Sequence, residues 1–101
     1  MYNINTNTCF DGGSNMKVVA KPIEMVAWFD KEGTVHPVRF RIIQDEVTTT
    51  VIIDKVIRQS KEKLAGNNKL VFTCRSLIND MEKLFEIKYE IATCKWVLFK
   101  I

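Results

Sequence analysis

The stretch KLVFTCRSLINDMEKLFEIKYEI, residues 69–91, decides the fold, because its two halves mirror each other about a short polar turn. Asn79 and Asp80 suit the two-residue turn of a β-hairpin, since both tolerate left-handed backbone angles. Pairing the flanking residues outward from this turn places Cys74 opposite Phe85 on a face of aliphatic and aromatic side chains. The further pairs on that face are Ile78 with Met81, Phe72 with Ile87 and Leu70 with Tyr89. The stretch therefore predicts an antiparallel hairpin with one apolar face.

Outward from this hairpin, β-branched and aromatic runs alternate with polar side chains and are separated by short turns, a pattern typical of antiparallel strands. Six strands are predicted, at 23–29, 35–43, 48–58, 69–78, 81–91 and 95–101. The first three share an apolar face, whose members are Met25, Ala27, Val38, Phe40, Ile42, Val51 and Ile53. Two three-stranded halves should bury their apolar faces against each other. The sequence thus predicts an all-β fold, a six-stranded antiparallel meander that closes as a small barrel or sandwich.

The turn before the last strand is predicted to be three residues long, at 92–94. This length places Tyr89 opposite Val97 and turns Trp96 and Leu98 toward the outer surface of the sheet. Cross-strand pairing tests this prediction, because a slip of one residue moves every side chain of a strand to the other face.

The segment 54–66 is the least decided part of the chain. Asp54 suits the N-cap of a helix, 55–65 contains good helix formers, and Gly66 suits a helix end. The β-branched residues up to Ile57 favour an extended strand instead, and the charged run 59–68 then forms a solvated loop. The strand followed by a loop is the favoured prediction, and the short helix is the alternative.

The composition indicates one small domain rather than a membrane or secreted protein. The chain has 101 residues, of which 47% are hydrophobic and 27% charged, enough for a single core. No uncharged run approaches the roughly 20 residues of a membrane span, and the polar start does not resemble a secretory signal. The formal net charge of +3 is mild compared with that of dedicated nucleic-acid binders. We therefore expect a cytoplasmic protein with no membrane partner.

Residues 1–15 differ in composition from the rest, being rich in Asn, Gly and Ser with few apolar side chains. Such a segment cannot bury enough surface to fold, so 1–15 is predicted to be a disordered tail and 16–101 a single β domain. The codons of Gly12 and Gly13 can spell a purine-rich ribosome-binding sequence at the usual spacing before Met16. The hypothesis is that Met16 is the native start.

No motif for chemistry emerges from the sequence. Cys9, Cys74 and Cys94 form neither an even disulfide set nor a closely spaced metal-binding pair. The single histidine, His36, stands beside Pro37 without a nucleophile motif and is predicted to lie exposed at a strand end. The predictions are therefore no catalytic residue, no metal site and no cofactor.

The surfaces opposite the predicted core carry the functional hypothesis. Trp28 lies among Arg39 and Arg41 on the first half, and Trp96 lies near Lys100 on the second. Aromatic and arginine side chains together are typical of protein interfaces, so a protein partner or a homo-oligomer is the favoured prediction. The same mixture binds single-stranded nucleic acid in small β-barrels, which is the alternative. An enzyme without a recognisable motif is the third and least favoured interpretation.

The stretches PVRFR at 37–41, KLAGN at 63–67 and YEIATCKWVLFK at 89–100 resemble a group of small bacterial proteins of unknown function. The likeness covers most of the chain after Met16. That group implies no activity and supplies no binding residues. A fainter similarity, limited to PVRF and WVL, is to a small domain family encoded beside DNA-repair polymerases, which would favour nucleic acid as the partner.

Overall fold

A computed structural model describes residues 16–101. Seven strands and no helix are found over this range. The strands are β1 (Val18–Phe29), β2 (Val35–Gln44), β3 (Val47–Ile52), β4 (Lys55–Leu64), β5 (Asn67–Ile78), β6 (Met81–Glu90) and β7 (Lys95–Lys100). The all-β prediction is confirmed, whereas the predictions for the tail at 1–15 lie outside the described residues. No helix between residues 16 and 101 is long and apolar enough to cross a membrane.

The strands form one antiparallel sheet in the order β3-β2-β1-β7-β6-β5-β4. β1 joins the two predicted halves, because it pairs with β2 on one side and with β7 on the other. The sheet curls but does not close, which corrects the prediction of a closed barrel or sandwich. The end of the edge strand β3 approaches β5, where Ser76 Oγ donates to the carbonyl of Ile52 at 2.6 Å and the backbone N–H of Asp54 donates to the carbonyl of Arg75 at 3.1 Å.

The core lies on the concave face of the curled sheet. Phe40 of β2 and Phe85 of β6 meet edge to face, with ring centroids 5.6 Å apart, so the core connects the two halves. The most deeply buried apolar residues are Phe40, Phe72, Cys74, Phe85, Ile87 and Leu98. Of the face predicted for the first half, only Val38 departs from the pattern, because a bulge in β2 leaves it without a partner on β1.

The hairpin of residues 69–91 forms as predicted. Its register runs without a break from the pair Ile78–Met81 to the pair Lys69–Glu90. The turn residues Asn79 and Asp80 have φ angles of 52° and 61°, in the left-handed region that a two-residue turn requires. The turn at Asp45 and Glu46 between β2 and β3 has the same geometry.

Between Asp54 and Asn68, the predicted extended chain is confirmed over 55–58, whereas the loop predicted at 59–68 and the alternative helix are corrected, and the strand count rises from six to seven. Neither a helix nor a loop forms there, because β4 continues to Leu64 and turns directly into β5. β4 is an edge strand, so most of its charged side chains stay in water and lose little hydration on folding. The one that is partly buried, Glu62, forms an ion pair with Lys88 at 3.2 Å.

The register of β7 is also corrected. The turn before it contains four residues, 91–94, and Glu90 pairs with Lys95. Tyr89 is therefore opposite Trp96 rather than Val97. Because side chains alternate along a strand, this difference of one residue turns Trp96 and Leu98 inward.

Candidate interaction surface

The convex face of β1, β2 and β3 carries a set of side chains that we call the outer patch: Val26, Trp28, Arg39, Arg41 and Ile52. The register places Arg39 directly between Val26 and Ile52, and Arg41 between Glu24 and Thr50. The three apolar members are well exposed, Val26 at 48%, Trp28 at 54% and Ile52 at 63%. The patch therefore presents apolar and cationic groups together to solvent.

Trp28 is held in place by a stack with the imidazole of His36. The two ring centroids are 4.2 Å apart and the ring planes differ by 16°. His36 Nε2 lies 3.0 Å from Asp30 Oδ2, and Asp30 Oδ1 accepts the backbone N–H groups of Glu32 at 3.0 Å and Thr34 at 2.9 Å. The turn thus holds one face of the Trp28 indole against the imidazole of His36, and the opposite face of the indole stays accessible.

The histidine stack was not predicted from the sequence, which indicated only an exposed histidine at a strand end. His36 lies near the start of β2, so its place at a strand end is confirmed, while its side chain is only 41% exposed because it packs against Trp28 and Asp30. The missed signal is that Trp28 and His36 are opposite each other across the β1–β2 turn. Facing aromatic rings at such cross-strand positions tend to pack together.

Asp30 gives a pH-dependent prediction. The hydrogen bond with His36, together with the N–H groups of the turn, holds the pKa of Asp30 below its usual value of 3.8. A carboxylate with a lowered pKa stabilises the folded state above its unfolded pKa and loses this effect as the pH falls through the folded pKa. We expect the stability advantage of wild type over Asp30→Asn to persist at neutral pH, to begin to fall near pH 3.8 and to be lost as the pH drops through the lower pKa of the folded state. Chemical unfolding of both proteins across this range measures it, and a difference that is independent of pH would contradict it.

The two arginines of the outer patch differ in their surroundings. Arg41 Nε donates to Glu24 Oε1, and the register of β1 and β2 places these two residues directly opposite each other. Arg39 forms no ion pair with any of the described residues. Both arginines line an open groove of about 410 Å³ with Glu24, Val26 and Thr50. The groove has one net positive charge, which is contributed by Arg39.

The structure brings together three of the five predicted contact residues, namely Trp28, Arg39 and Arg41. Trp96 is not with them, because it faces the core and packs against Tyr89 at 4.6 Å and Phe72 at 5.7 Å between ring centroids. The prediction of Trp96 as a surface contact is therefore inconsistent with its position.

Lys100 lies far from Trp28, because it pairs with Val18 at the opposite end of β1. Its ammonium group is 5.7 Å from the centroid of Phe99, and Lys88 lies closer to the same ring at 3.6 Å. Lys100 is thus on the convex face of the second half, where cations cover an aromatic ring. It is not part of the outer patch.

The two thiols of the described residues differ in exposure. Burial raises the pKa of Cys74 to about 12, whereas Cys94 is exposed in the turn before β7. From residue 16 onward, no three His, Cys, Asp or Glu side chains cluster in a way that would hold a metal ion.

We expect Cys74 to resist alkylation in the folded protein. Burial keeps the Cys74 thiol protonated at pH 8, and the thiolate is the reactive form. In a Cys9→Ser variant, iodoacetamide should label Cys94 alone under native conditions and both remaining thiols in denaturant, as read by intact mass. Equal labelling of the two thiols in the folded protein would contradict the burial of Cys74.

Comparison with known proteins identifies no family: no family model, curated protein or solved structure matches this chain. The resemblance to a group of small bacterial proteins stays a prediction. The interpretation of the outer patch therefore rests on its own geometry.

Proposed function

We propose that this protein is a non-enzymatic interaction module of the cytoplasm that binds a protein surface through the outer patch. The supporting observation is the row formed by Val26, Arg39 and Ile52, in which an arginine without an ion-pair partner in the described chain lies between two exposed aliphatic side chains. Trp28 lies two residues from Val26 on the same side of β1. Tryptophan and arginine are the residues most enriched among those that dominate protein binding energies.

Three observations favour a protein over single-stranded nucleic acid as the partner. Glu24 neutralises Arg41, which reduces the cationic charge available to phosphates. His36 already covers one face of Trp28, and Trp96 faces inward, so the two exposed tryptophans that base stacking was expected to use are not present together. Val26 and Ile52 add apolar surface that nucleic-acid backbones do not need.

The patch also indicates what the partner should offer. An apolar surface would cover Val26, Ile52 and the free side of Trp28, because burial of these side chains is the main source of binding energy. A carboxylate would complement Arg39, since a cation buried at an interface without a counter-charge is strongly unfavourable. The expected partner surface is therefore apolar with an acidic residue at its centre.

A site-specific photo-crosslinker tests the proposal. The photoreactive residue replaces Ile52 in the patch, and in the control it replaces Leu64 of β4. These two residues have matched exposures of 63% and 62% but lie on different edges of the sheet. Irradiation in cells that carry the chain's own gene should give a protein adduct at position 52 and not at 64. Adding Arg39→Glu should reduce this adduct about tenfold or more, as for an interface residue that dominates binding.

Two results would overturn the proposal. An adduct at position 52 that nuclease digests would assign the patch to nucleic acid. Protein adducts of equal yield at both positions, or none at position 52, would remove the patch as a specific interface.

A further inference from the structure

The two edges of the open sheet are built differently. β4 contains five charged residues in ten, whereas β3, with the sequence VTTTVI, contains none in six. Charged side chains on an edge strand block pairing with other chains, and an uncharged edge rich in β-branched residues permits it. Only the edge at β4 carries this protection, and β3 lies next to the outer patch.

Alternate residues of β3 form backbone hydrogen bonds with β2, and the others leave their backbone groups available to a further strand. Ile53 donates to the carbonyl of Val38 at 3.0 Å, which fixes the odd-numbered residues of β3 as those bonded to β2. Thr48, Thr50 and Ile52 therefore direct their N–H and C=O groups away from β2. The carbonyl of Ile52 accepts from Ser76, so the backbone groups of Thr48 and Thr50 form the open part of this edge.

We propose that a second copy of this chain pairs with β3 in an antiparallel arrangement about a two-fold axis at Thr49. This inference goes beyond the proposed function, because the pairing uses the backbone of the edge strand and, of the outer patch, covers only Ile52. Thr48 of each copy then exchanges backbone hydrogen bonds with Thr50 of the other. The pairing gives a closed dimer, since the same surface of both copies is used.

Charge placement supports a second copy in this orientation. Antiparallel pairing puts Glu46 opposite Ile52 of the second copy, whereas in-register parallel pairing would put Glu46 opposite itself. The β2 strands of the two copies would be roughly 14 Å apart, from three strand spacings. The arginines of the two patches therefore lie further apart than the Debye length of about 8 Å at physiological salt.

Apolar side chains at both ends of β3 gain cover in the same arrangement. Val47, 44% exposed, pairs with Val51 of the second copy, and Ile52, 63% exposed, packs beside the incoming strand. Ile52 belongs both to the edge and to the outer patch. Pairing at β3 thus covers Ile52 of the outer patch and also forms the backbone hydrogen bonds between the two copies.

Two pairs of variants test the dimer by sedimentation equilibrium of the full chain at low and high salt. The charged pair is Thr48→Lys with Thr50→Lys in one protein and Thr48→Glu with Thr50→Glu in another. Each places like charges in both cross-strand pairs, so each alone should be monomeric, and their mixture should recover a one-to-one dimer. Wild type should be a dimer that persists at high salt.

The second pair uses proline. Thr50→Pro removes an N–H that faces the open edge, so the β2–β3 ladder is kept, and the dimer dissociation constant should rise about tenfold or more. Lys61→Pro is the matched control, because the phase of the β4–β5 hairpin makes Lys61 face the opposite open edge. Thermal unfolding verifies that both variants are folded. Lys61→Pro should leave the dimer unchanged.

The outcomes separate this inference from the proposed function. A wild-type chain that is monomeric at all concentrations, or a dimer that Thr50→Pro leaves intact, overturns the β3 pairing. The crosslinking result at position 52 is independent of it, because an adduct with a different protein would sustain the interaction module without the dimer. An adduct of the chain with itself, together with heterodimer recovery in the charged pair, supports the β3 pairing.

Discussion

Replacement of Phe85 by alanine is expected to lower the free energy of unfolding by about 3–5 kcal/mol. Phe85 is fully buried in β6, and its ring meets Phe40 of β2 across the concave side of the sheet. The substitution removes apolar burial and leaves a cavity where the two halves of the curled sheet join. Small domains are stable by only about 5–15 kcal/mol, so this loss is a large share of the total free energy of unfolding.

Phe29→Ala is the matched control, since it makes the same chemical change at the exposed end of β1. Phe29 is 56% exposed and has an edge contact with Tyr89 at 6.3 Å, so its loss should cost about 1 kcal/mol or less. Urea unfolding of the two variants and wild type, followed by far-ultraviolet circular dichroism, gives the comparison. A Phe85→Ala variant as stable as Phe29→Ala would mean that the two halves do not share a core.

The local hairpins were predictable because short turns fix their register. Two-residue turns at Asp45–Glu46 and Asn79–Asp80 leave no choice in pairing once one apolar face must be buried. The members of the outer patch follow from the same logic, since Val26, Arg39 and Arg41 alternate with core residues on adjacent strands. The sequence alone was therefore enough to place Trp28, Arg39 and Arg41 on one surface.

The pairing of β1 with β7 could not be obtained in this way. It joins residues about 75 positions apart, such as Ile23 and Trp96, and no turn fixes such a register. The hydrogen bond from Ser76 to the carbonyl of Ile52 is equally non-local. These two features decide that the sheet is open and curled, which is why a closed barrel or a sandwich was predicted instead.

Most of β4 was predicted as a loop for a different reason. Alternation of apolar and polar residues is a signal only where one face is buried, and the burial pattern of β4 is exposed at most positions on both faces. Its charged residues gave the appearance of a solvated loop. The charged residues that keep an edge strand from pairing with other chains are also typical of a solvated loop. Only the pairing with β5 distinguishes the two structures.

Trp96→Ala should destabilise the protein by about 2–4 kcal/mol, while Trp28→Ala should change its stability by less than about 1 kcal/mol. The two tryptophans were predicted to share an exposed role, and they differ only because the turn at 91–94 has four residues. That extra residue places the Trp96 ring against Tyr89 and Phe72, within the partly buried shell of the core. Trp28 keeps more than half of its surface in water.

Thermal and urea unfolding of the two variants measure this difference, and the fluorescence of the remaining tryptophan reports its surroundings. In Trp28→Ala the emission of Trp96 should be blue-shifted, as for a ring packed among aromatics, and in Trp96→Ala the emission of Trp28 should lie near that of a solvated indole. The binding assays should show the opposite order: Trp28→Ala should weaken the crosslink at position 52, and Trp96→Ala should affect it only in proportion to lost folding. Equal stability losses in the two variants would instead support a three-residue turn and an outward Trp96, because one residue of register decides which tryptophan is core and which is surface.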